Sequence, residues 1–344
     1  MCGFAGFVDF NKQTSEEVLR AVTDSLIHRG PDSSGYYFSE TNNYSVGLGH
    51  RRLSIIDLSE AGSQPMHFEN LHIIFNGEAY NFAEVRAELE KEGYSFVSTS
   101  DTEVVLKAYH KWGAEAVHKF IGMFAFVIYD DQKEQLLFFR DRAGVKPFYY
   151  YQKDGIVLFA SEIKAFHQHP RFQKKLDHDS LSWYFKGGYI PVPHTIYQNC
   201  HKLPQGHFAR LNLKTREITE EKYWDVIDFF NKGTIDISEN EAIEQTEKLL
   251  KSAFNYRMVA DVPVGMFLSG GYDSTAVTAL LQSDRTEKIK TFTIGFKEEG
   301  FDEAPEARKI AEHLGTDHHE YYCTAQDALD ILPTLPGLYD EPFG

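Results

Sequence analysis

Between residues 122 and 160 the chain carries four short runs, Met123 to Tyr129, Gln135 to Arg140, Pro147 to Tyr151 and Ile156 to Ala160, several of them apolar for most of their length. A strand with one wet face alternates apolar and polar residues, so runs of this kind are covered on both faces. As consecutive hairpin strands they require two sheets packed together with helices outside, a four-layer αββα sandwich of α+β class. The preceding residues supply the partners. The first ten residues fit a strand, and further strand-like segments span Gly35 to Phe38, Tyr44 to Ile56 and Leu71 to Phe75. Helical spacing of Val18, Leu19, Val22, Leu26 and Ile27 predicts a helix from Ser15 to His28, ended by the turn Arg29-Gly30-Pro31-Asp32. Two more helices are expected over Phe82 to Glu92 and Thr102 to Trp112, the second opened by Ser100-Asp101.

A different rhythm begins further on. Polar residues with Gly233 between Trp224 and Ser238 mark a boundary, which divides the chain into a domain over 1–224, a linker over 225–238 and a second domain over 239–344. The capping box Ser238-x-x-Glu241 opens a helix to about Tyr256. Strands at Val262 to Leu268, Lys290 to Phe296 and His318 to Cys323 then alternate with helices at Tyr272 to Gln282 and Glu303 to Leu314. That order predicts a parallel α/β sheet with helical crossovers.

Composition excludes several classes. A formal charge of −16 argues against a nucleic-acid or anionic-membrane surface, since both need excess Lys and Arg. Cys2, Cys200 and Cys323 are odd in number and lack CxxC spacing, which points to a reducing compartment without disulfides or structural zinc. No basic segment followed by an apolar run opens the chain, and no stretch has the length of a bilayer span, so a cytoplasmic location is expected. Asp317-His318-His319-Glu320 has metal-like spacing, but adjacent residues of a strand point to opposite faces.

Two stretches carry chemistry. Cys2 follows Met1, and loss of that Met would leave a cysteine with a free α-amino group. The thiol titrates near ~8.5 and the amine near ~7.7–8, so the amine is able to take the proton from its own thiol. The second stretch is Leu268-Ser269-Gly270-Gly271-Tyr272-Asp273-Ser274-Thr275, where a strand runs through Ser-Gly-Gly into a helix. Its backbone N–H groups, hydroxyls and helix N-terminus suit a phosphate. It lacks the Gly-Lys-Ser/Thr ending of a kinase-type phosphate loop and the GxGxxG dinucleotide fingerprint. The pattern resembles the pyrophosphate loop of enzymes that cleave ATP to AMP and pyrophosphate.

The ordered set of Met1-Cys2-Gly3, His28-Arg29-Gly30-Pro31-Asp32, Gly49-His50-Arg51-Arg52-Leu53-Ser54-Ile55-Ile56-Asp57, Phe75-Asn76-Gly77-Glu78-Ala79-Tyr80-Asn81, Thr99-Ser100-Asp101-Thr102-Glu103, Gly122-Met123-Phe124-Ala125-Phe126, Arg140-Asp141-Arg142, Ser161-Glu162 and the Ser-Gly-Gly loop resembles the glutamine-dependent asparagine synthetases. The resemblance covers essentially the whole chain. It implies an N-terminal nucleophile hydrolase-like glutaminase fused to an ATP-pyrophosphatase-type synthetase, with glutamine, aspartate, ATP and Mg²⁺ as its small molecules, and it leaves room for a homodimer. Arg52 would read the glutamine α-carboxylate through a bidentate fork. Asp101 and Glu78 would receive the α-ammonium, Leu53, Ile55 and Ile56 would line the pocket, and Asn76 with Gly77 would form the oxyanion hole beside Cys2. In the second domain Ser269, Gly270, Gly271 and Ser274 would hold the phosphates, Asp273 would help to hold Mg²⁺, and Leu268 with Ile294 would flank the adenine. Taken singly, Arg52 also reads as a solvated strand residue, Asn76-Gly77 as a hairpin turn and Asp101 as a helix N-cap.

The family's synthetase domain is longer than the portion before Gly344, so residues 1–344 are expected to hydrolyse glutamine without forming asparagine. The acceptor is open at this level: a sugar acid or another carboxylate fits the same architecture. A non-catalytic nucleotide-binding relative and a simple N-terminal-nucleophile amide hydrolase are further alternatives.

Overall fold

A computed structural model of the protein describes residues 1–298 and 300–342. The chain divides into two compact units, Met1–Lys232 joined by the segment that begins at Asp340, and Gly233–Tyr339.

The first unit contains β1 (Gly3–Asp9), β2 (Ser33–Glu40), β3 (Ser45–Arg52), β4 (Met66–Phe68), β5 (Leu71–Ala79), β6 (Gly122–Asp130), β7 (Gln135–Arg140), β8 (Tyr149–Lys153), β9 (Ile156–Ala160), β10 (Cys200–Lys202), β11 (His207–Asn212) and β12 (Ile218–Lys222). They form two six-stranded sheets, ordered β10-β8-β9-β1-β3-β2 and β12-β11-β7-β6-β5-β4, with antiparallel neighbours throughout. Alternate residues explain the layering. Phe4 and Val8 of β1 face the inter-sheet core with Ile74, Val127, Phe138 and Phe159, whereas Ala5 and Phe7 pack under α1 (Glu16–Asp24) with Leu19, Val22 and Leu26. On the other sheet Phe75, Phe124 and Phe126 pack under α2 (Phe82–Lys91) and α3 (Asp101–Trp112) with Val85, Leu89 and Val105. The αββα sandwich expected from the apolar runs is therefore present, and aromatic contacts such as Phe138 on Phe159 at 5.2 Å join its inner faces. Each fully buried Phe of this kind stabilises the fold by about 1.5–3 kcal/mol.

Three boundaries differ from the sequence reading in ways that matter for the site. β3 stops at Arg52 rather than Ile56, because the next residues bend around the Arg52 guanidinium, which donates to the carbonyls of Ile56, Asp57 and Ser59. β5 continues past Phe75 to Ala79, so Asn76-Gly77 lies inside a strand paired with Ala125 and Phe124 and is not a hairpin turn. The N-cap of α3 is Ser100, whose hydroxyl accepts the Thr102 N–H at 3.2 Å, and this leaves the Asp101 carboxylate for another partner.

In the second unit the capping box of Ser238 and Glu241 starts a helix over Glu239–Tyr256. Beyond it, the strands Gly265–Phe267, Lys290–Phe296 and Asp317–Cys323 form a parallel three-stranded sheet in that order, with helices Tyr272–Ser283 and Ala304–Leu314 as crossovers. The first strand is shorter than the Val262 to Leu268 run predicted for it. His319 stacks on Phe292 at 5.2 Å, and the His318 ring bonds the Thr291 hydroxyl at 2.9 Å, so the two imidazoles are engaged separately. Among the described residues no helix is long and apolar enough to cross a membrane.

Candidate active site

Strand parity brings the site together. Cys2 lies one residue before β1 on the same parity as Phe4 and Val8, Arg52 ends β3 on the parity of Leu48 and His50, and Asn76 and Glu78 share the parity of Ile74. Gly3 pairs with Arg51, which puts Cys2 and Arg52 at one end of adjacent strands. A single pocket at that end is lined by Cys2, Arg52, Leu53, Ile55, Ile56, Asn76, Gly77, Glu78 and Asp101, every residue named for the glutamine site.

The sulfur is held by backbone. Cys2 Sγ accepts the Leu53 N–H at 3.4 Å and donates to the Leu53 carbonyl at 3.5 Å, while Arg29 Nε donates to the Cys2 carbonyl at 2.9 Å. Ser161 fixes the start of β1, its hydroxyl accepting the Phe4 N–H at 3.1 Å. Burial pushes the Cys2 thiol above its ordinary pKa, opposed by the Leu53 N–H, so the sulfur needs a base to ionise. The same surroundings act oppositely on an amine. Burial lowers the pKa of the Met1 α-amino group.

Asn76 is 1% exposed, and neither its Nδ2 nor its Oδ1 has a hydrogen-bond partner among the described residues. A buried amide left unpaired costs about 1–3 kcal/mol, an unusual burden for a residue with only a structural role. Its backbone is fixed from the opposite sheet, where His50 Nε2–H donates to the Phe75 carbonyl at 3.0 Å. Burial lowers the His50 pKa to about 3, which keeps that ring neutral. At Gly77 a Cβ would collide with the Met123 carbonyl and the Phe124 Cα, so close approach of β6 requires glycine there.

Asp101 Oδ2 accepts the Ala79 N–H at 2.9 Å, tying the start of α3 to the end of β5. Burial pushes this carboxyl up to about 7, the Ala79 N–H opposes the shift and the Glu78 charge adds to it. Glu78 is likewise raised, mainly by burial. Arg52 is 7% exposed and already spends both terminal nitrogens on loop carbonyls, so it supports the wall that carries Leu53, Ile55 and Ile56 as well as facing the pocket.

Sequence reasoning missed Gln64, Met123 and Lys146 as pocket residues. Gln64 accepts the Phe75 N–H at 2.6 Å and donates to the Thr102 hydroxyl at 3.1 Å. Lys146 sits in the crossover from β7 to β8, where Val-Lys-Pro gave no signal beyond that of a solvated loop. Arg140 and Asp141, part of the motif set that carries the resemblance, shape that crossover.

In the second unit Ser269 Oγ and Ser274 Oγ lie 2.8 Å apart, Ser274 Oγ accepts the Ser269 N–H at 3.1 Å and Ser269 Oγ accepts the Gly271 N–H at 3.2 Å. Gly271 caps the following helix without a side chain over its first N–H groups, and Asp273 is exposed in the first turn. An open helix N-terminus beside an exposed carboxylate fits a phosphate with a hard cation. The Leu268 side chain, named to flank adenine, instead packs on Ala307 and Ala311 and is 2% exposed, so any contact from it would be through backbone; Ile294 is half exposed.

The chain matches the family described as glutamine amidotransferase domain over residues 1–224 and the family described as asparagine synthase over residues 245–344. It is 38% identical over 363 residues to a Methanocaldococcus jannaschii protein named "Putative asparagine synthetase [glutamine-hydrolyzing] 2", covering all of this chain and 69% of that protein. It is 36% identical over 352 residues to asparagine synthetase [glutamine-hydrolyzing] 1 of Bacillus subtilis, covering all of this chain and 53% of that protein. A Gibberella zeae protein named amidase chry2 is 35% identical over 351 residues, which cover 93% of this chain and 50% of that protein.

Proposed function

This chain belongs to the glutamine-hydrolysing asparagine synthetase family, and from that premise we propose that residues 1–224 are a glutaminase with Cys2 as nucleophile, followed by a linker over 225–238 and, over 239–344, the start of an ATP-dependent amide-forming domain. The observation that carries the reading is the pocket in which the Cys2 sulfur and the unpaired Asn76 amide meet two acidic side chains and an arginine.

In this reading loss of Met1 frees the Cys2 α-amine, which takes the thiol proton. The thiolate attacks the side-chain amide carbon of glutamine, and Asn76 Nδ2–H with Gly77 N–H hold the oxyanion. Collapse expels ammonia, which leaves with the proton returned by the amine, and a glutamyl thioester remains. Water, deprotonated by the same amine, attacks the thioester; glutamate departs and the thiol is restored. Arg52 reads the α-carboxylate, while Glu78 and Asp101 receive the α-ammonium. In the second unit the loop Ser269 to Ser274 would hold ATP phosphates with Mg²⁺ at Asp273, where the acceptor's carboxylate would take the adenylyl group of ATP with release of pyrophosphate, and ammonia would then displace AMP to form the amide. Aspartate is the acceptor that the family favours. A second reading, amide hydrolysis by the N-terminal nucleophile with no synthetase role, is favoured by the relative named as an amidase.

The test is glutamate and ammonia release from glutamine by residues 1–344, with mass spectrometry to establish that Cys2 is N-terminal. No release from a folded protein so processed would overturn the glutaminase. Products formed from Mg-ATP, ammonium and a panel of carboxylates would choose between aspartate and another acceptor, and no amide from any of them would favour hydrolysis alone.

A pH dependence follows from Asp101. With its carboxyl near 7, free protein at pH 6 carries it mostly protonated, and a substrate ammonium binds the ionised form. Glutamine affinity should therefore strengthen as pH rises through 7, by up to about tenfold per unit below that value, and level off above it. Asp101→Asn should bind more weakly with a flat profile between pH 5.5 and 8.5. A wild-type KM independent of pH over that range would remove Asp101 from the ammonium site.

A further inference from the structure

Lys146 is 3% exposed and borders the glutaminase pocket. Its loop is fixed with unusual care. Asp141 accepts the backbone N–H groups of Ala143 at 3.1 Å, Val145 at 3.0 Å and Lys146 at 3.0 Å, and Arg140 donates to the carbonyls of Gly144 at 2.9 Å and Lys146 at 3.0 Å. Yet the ammonium held there bonds a poor acceptor. Among the described residues the one hydrogen-bond partner of Lys146 Nζ is the thioether of Met1, at 3.0 Å, and no carboxylate lies within ion-pairing distance, Glu78 being the acid whose charge acts on it most. A buried ammonium without a carboxylate is costly, and a thioether offsets little of that cost. The arrangement has a purpose only if something else meets Lys146 once Met1 is gone, and the groups at that spot are then the α-amine and thiol of Cys2.

We propose that Lys146 is a positioning residue for the nucleophile: with Met1 removed, its ammonium lies beside the new α-amine of Cys2, keeps that amine free to accept the thiol proton and stabilises the thiolate that results. The inference rests on the glutaminase reading. The charged groups facing this spot are Arg29 and Asp32 after α1, Arg52 at the end of β3, Glu78 on β5, Asp101 on α3 and Asp141 at the start of the crossover. Burial lowers the α-amine at the chain start, and Arg29 and Lys146 both add to the effect, while Cys2 and Asp32 oppose it. Burial lowers the Lys146 pKa, and the charges of Glu78 and Cys2 oppose that shift. Removing one positive charge from this set raises both the amine and the thiol pKa, so the two effects share a sign.

The experiment compares wild type, Lys146→Met and Lys146→Arg, each with mature N-terminal Cys2, in glutamine kcat/KM and in the rate of Cys2 alkylation by iodoacetamide, both from pH 5.5 to 9.5. Lys146→Met should move the acid limb of both profiles to higher pH, with kcat/KM down about tenfold at pH 6 and within about twofold of wild type at pH 9, while Lys146→Arg keeps the wild-type limb. Superimposable profiles overturn the proposal, as does a loss that is uniform at every pH, which would make Lys146 a scaffold residue only. Should the methionine variant fail to fold, Lys146→Gln carries the same comparison. If wild type releases no glutamate, the glutaminase reading fails, and the alkylation profiles still decide whether Lys146 acts on Cys2.

Discussion

Cys2→Ala is expected to lower glutamate release from glutamine by about 10⁴-fold or more, because the variant has no atom to form the thioester and the remaining donors act on a reaction that then lacks its nucleophile. The fold should tolerate the change. The sulfur's hydrogen bonds are two long ones to the Leu53 backbone, and β1 stays fixed by its pairing with β3 and β9. The melting temperature should therefore move by no more than a few degrees, as for substitutions costing about 1 kcal/mol. Any amide formation from added ammonium should persist, since only the ammonia supply is lost. A folded variant that still hydrolysed glutamine at a tenth of the wild-type rate would end the case for Cys2.

The second large effect belongs to Asn76→Ala, and here activity and stability should part company. Deleting an oxyanion donor costs about 10²–10³ in kcat. Among the described residues both polar atoms of Asn76 are buried without a partner, so removing them also removes a desolvation cost of about 1–3 kcal/mol. The variant should be slow yet melt no lower than wild type, with a glutamine KM within about threefold of it, since the developing oxyanion is met only in the transition state. Loss of stability in step with loss of activity would mean that Asn76 serves the sandwich and not the reaction.

How far the residues alone disclosed this depends on whether the deciding interaction is local. The apolar runs from Met123 to Ala160 disclosed two packed sheets because burial on both faces is written into each strand separately. The capping box at Ser238 was legible for the same reason. What was not legible depended on distant partners. β3 ends at Arg52 because its guanidinium gathers carbonyls from the following loop, and β5 runs through Asn76-Gly77 because β6 pairs with both residues. Ser100 and Asp101 competed as cap on local grounds, and the choice fell to Ala79, whose N–H claims the Asp101 carboxylate. Leu268 followed the ligand-facing pattern of its loop, yet Ala307 and Ala311 on the next helix claimed its side chain. Lys146 had no local mark at all; its burial comes from the crossover between sheets and from Met1 far away in sequence.

The segment that begins at Asp340 belongs to the first unit although residues 233–339 do not. There the Asp340 carboxylate accepts the Ile163 N–H at 2.5 Å, and Glu341 accepts the Ile196 N–H at 2.7 Å while pairing with Lys202 at 2.7 Å. Translation gives this arrangement a direction in time. A ribosome delivers residues 1–232 first, and a sandwich of that size condenses as its strands emerge. The donors at Ile163, Ile196 and Lys202 must then wait in water until the whole of 233–339 has been synthesised. The unit that is made first thus keeps donors that are met only after residues 233–339 have been made, and those hydrogen bonds record that the intervening segment has already been synthesised.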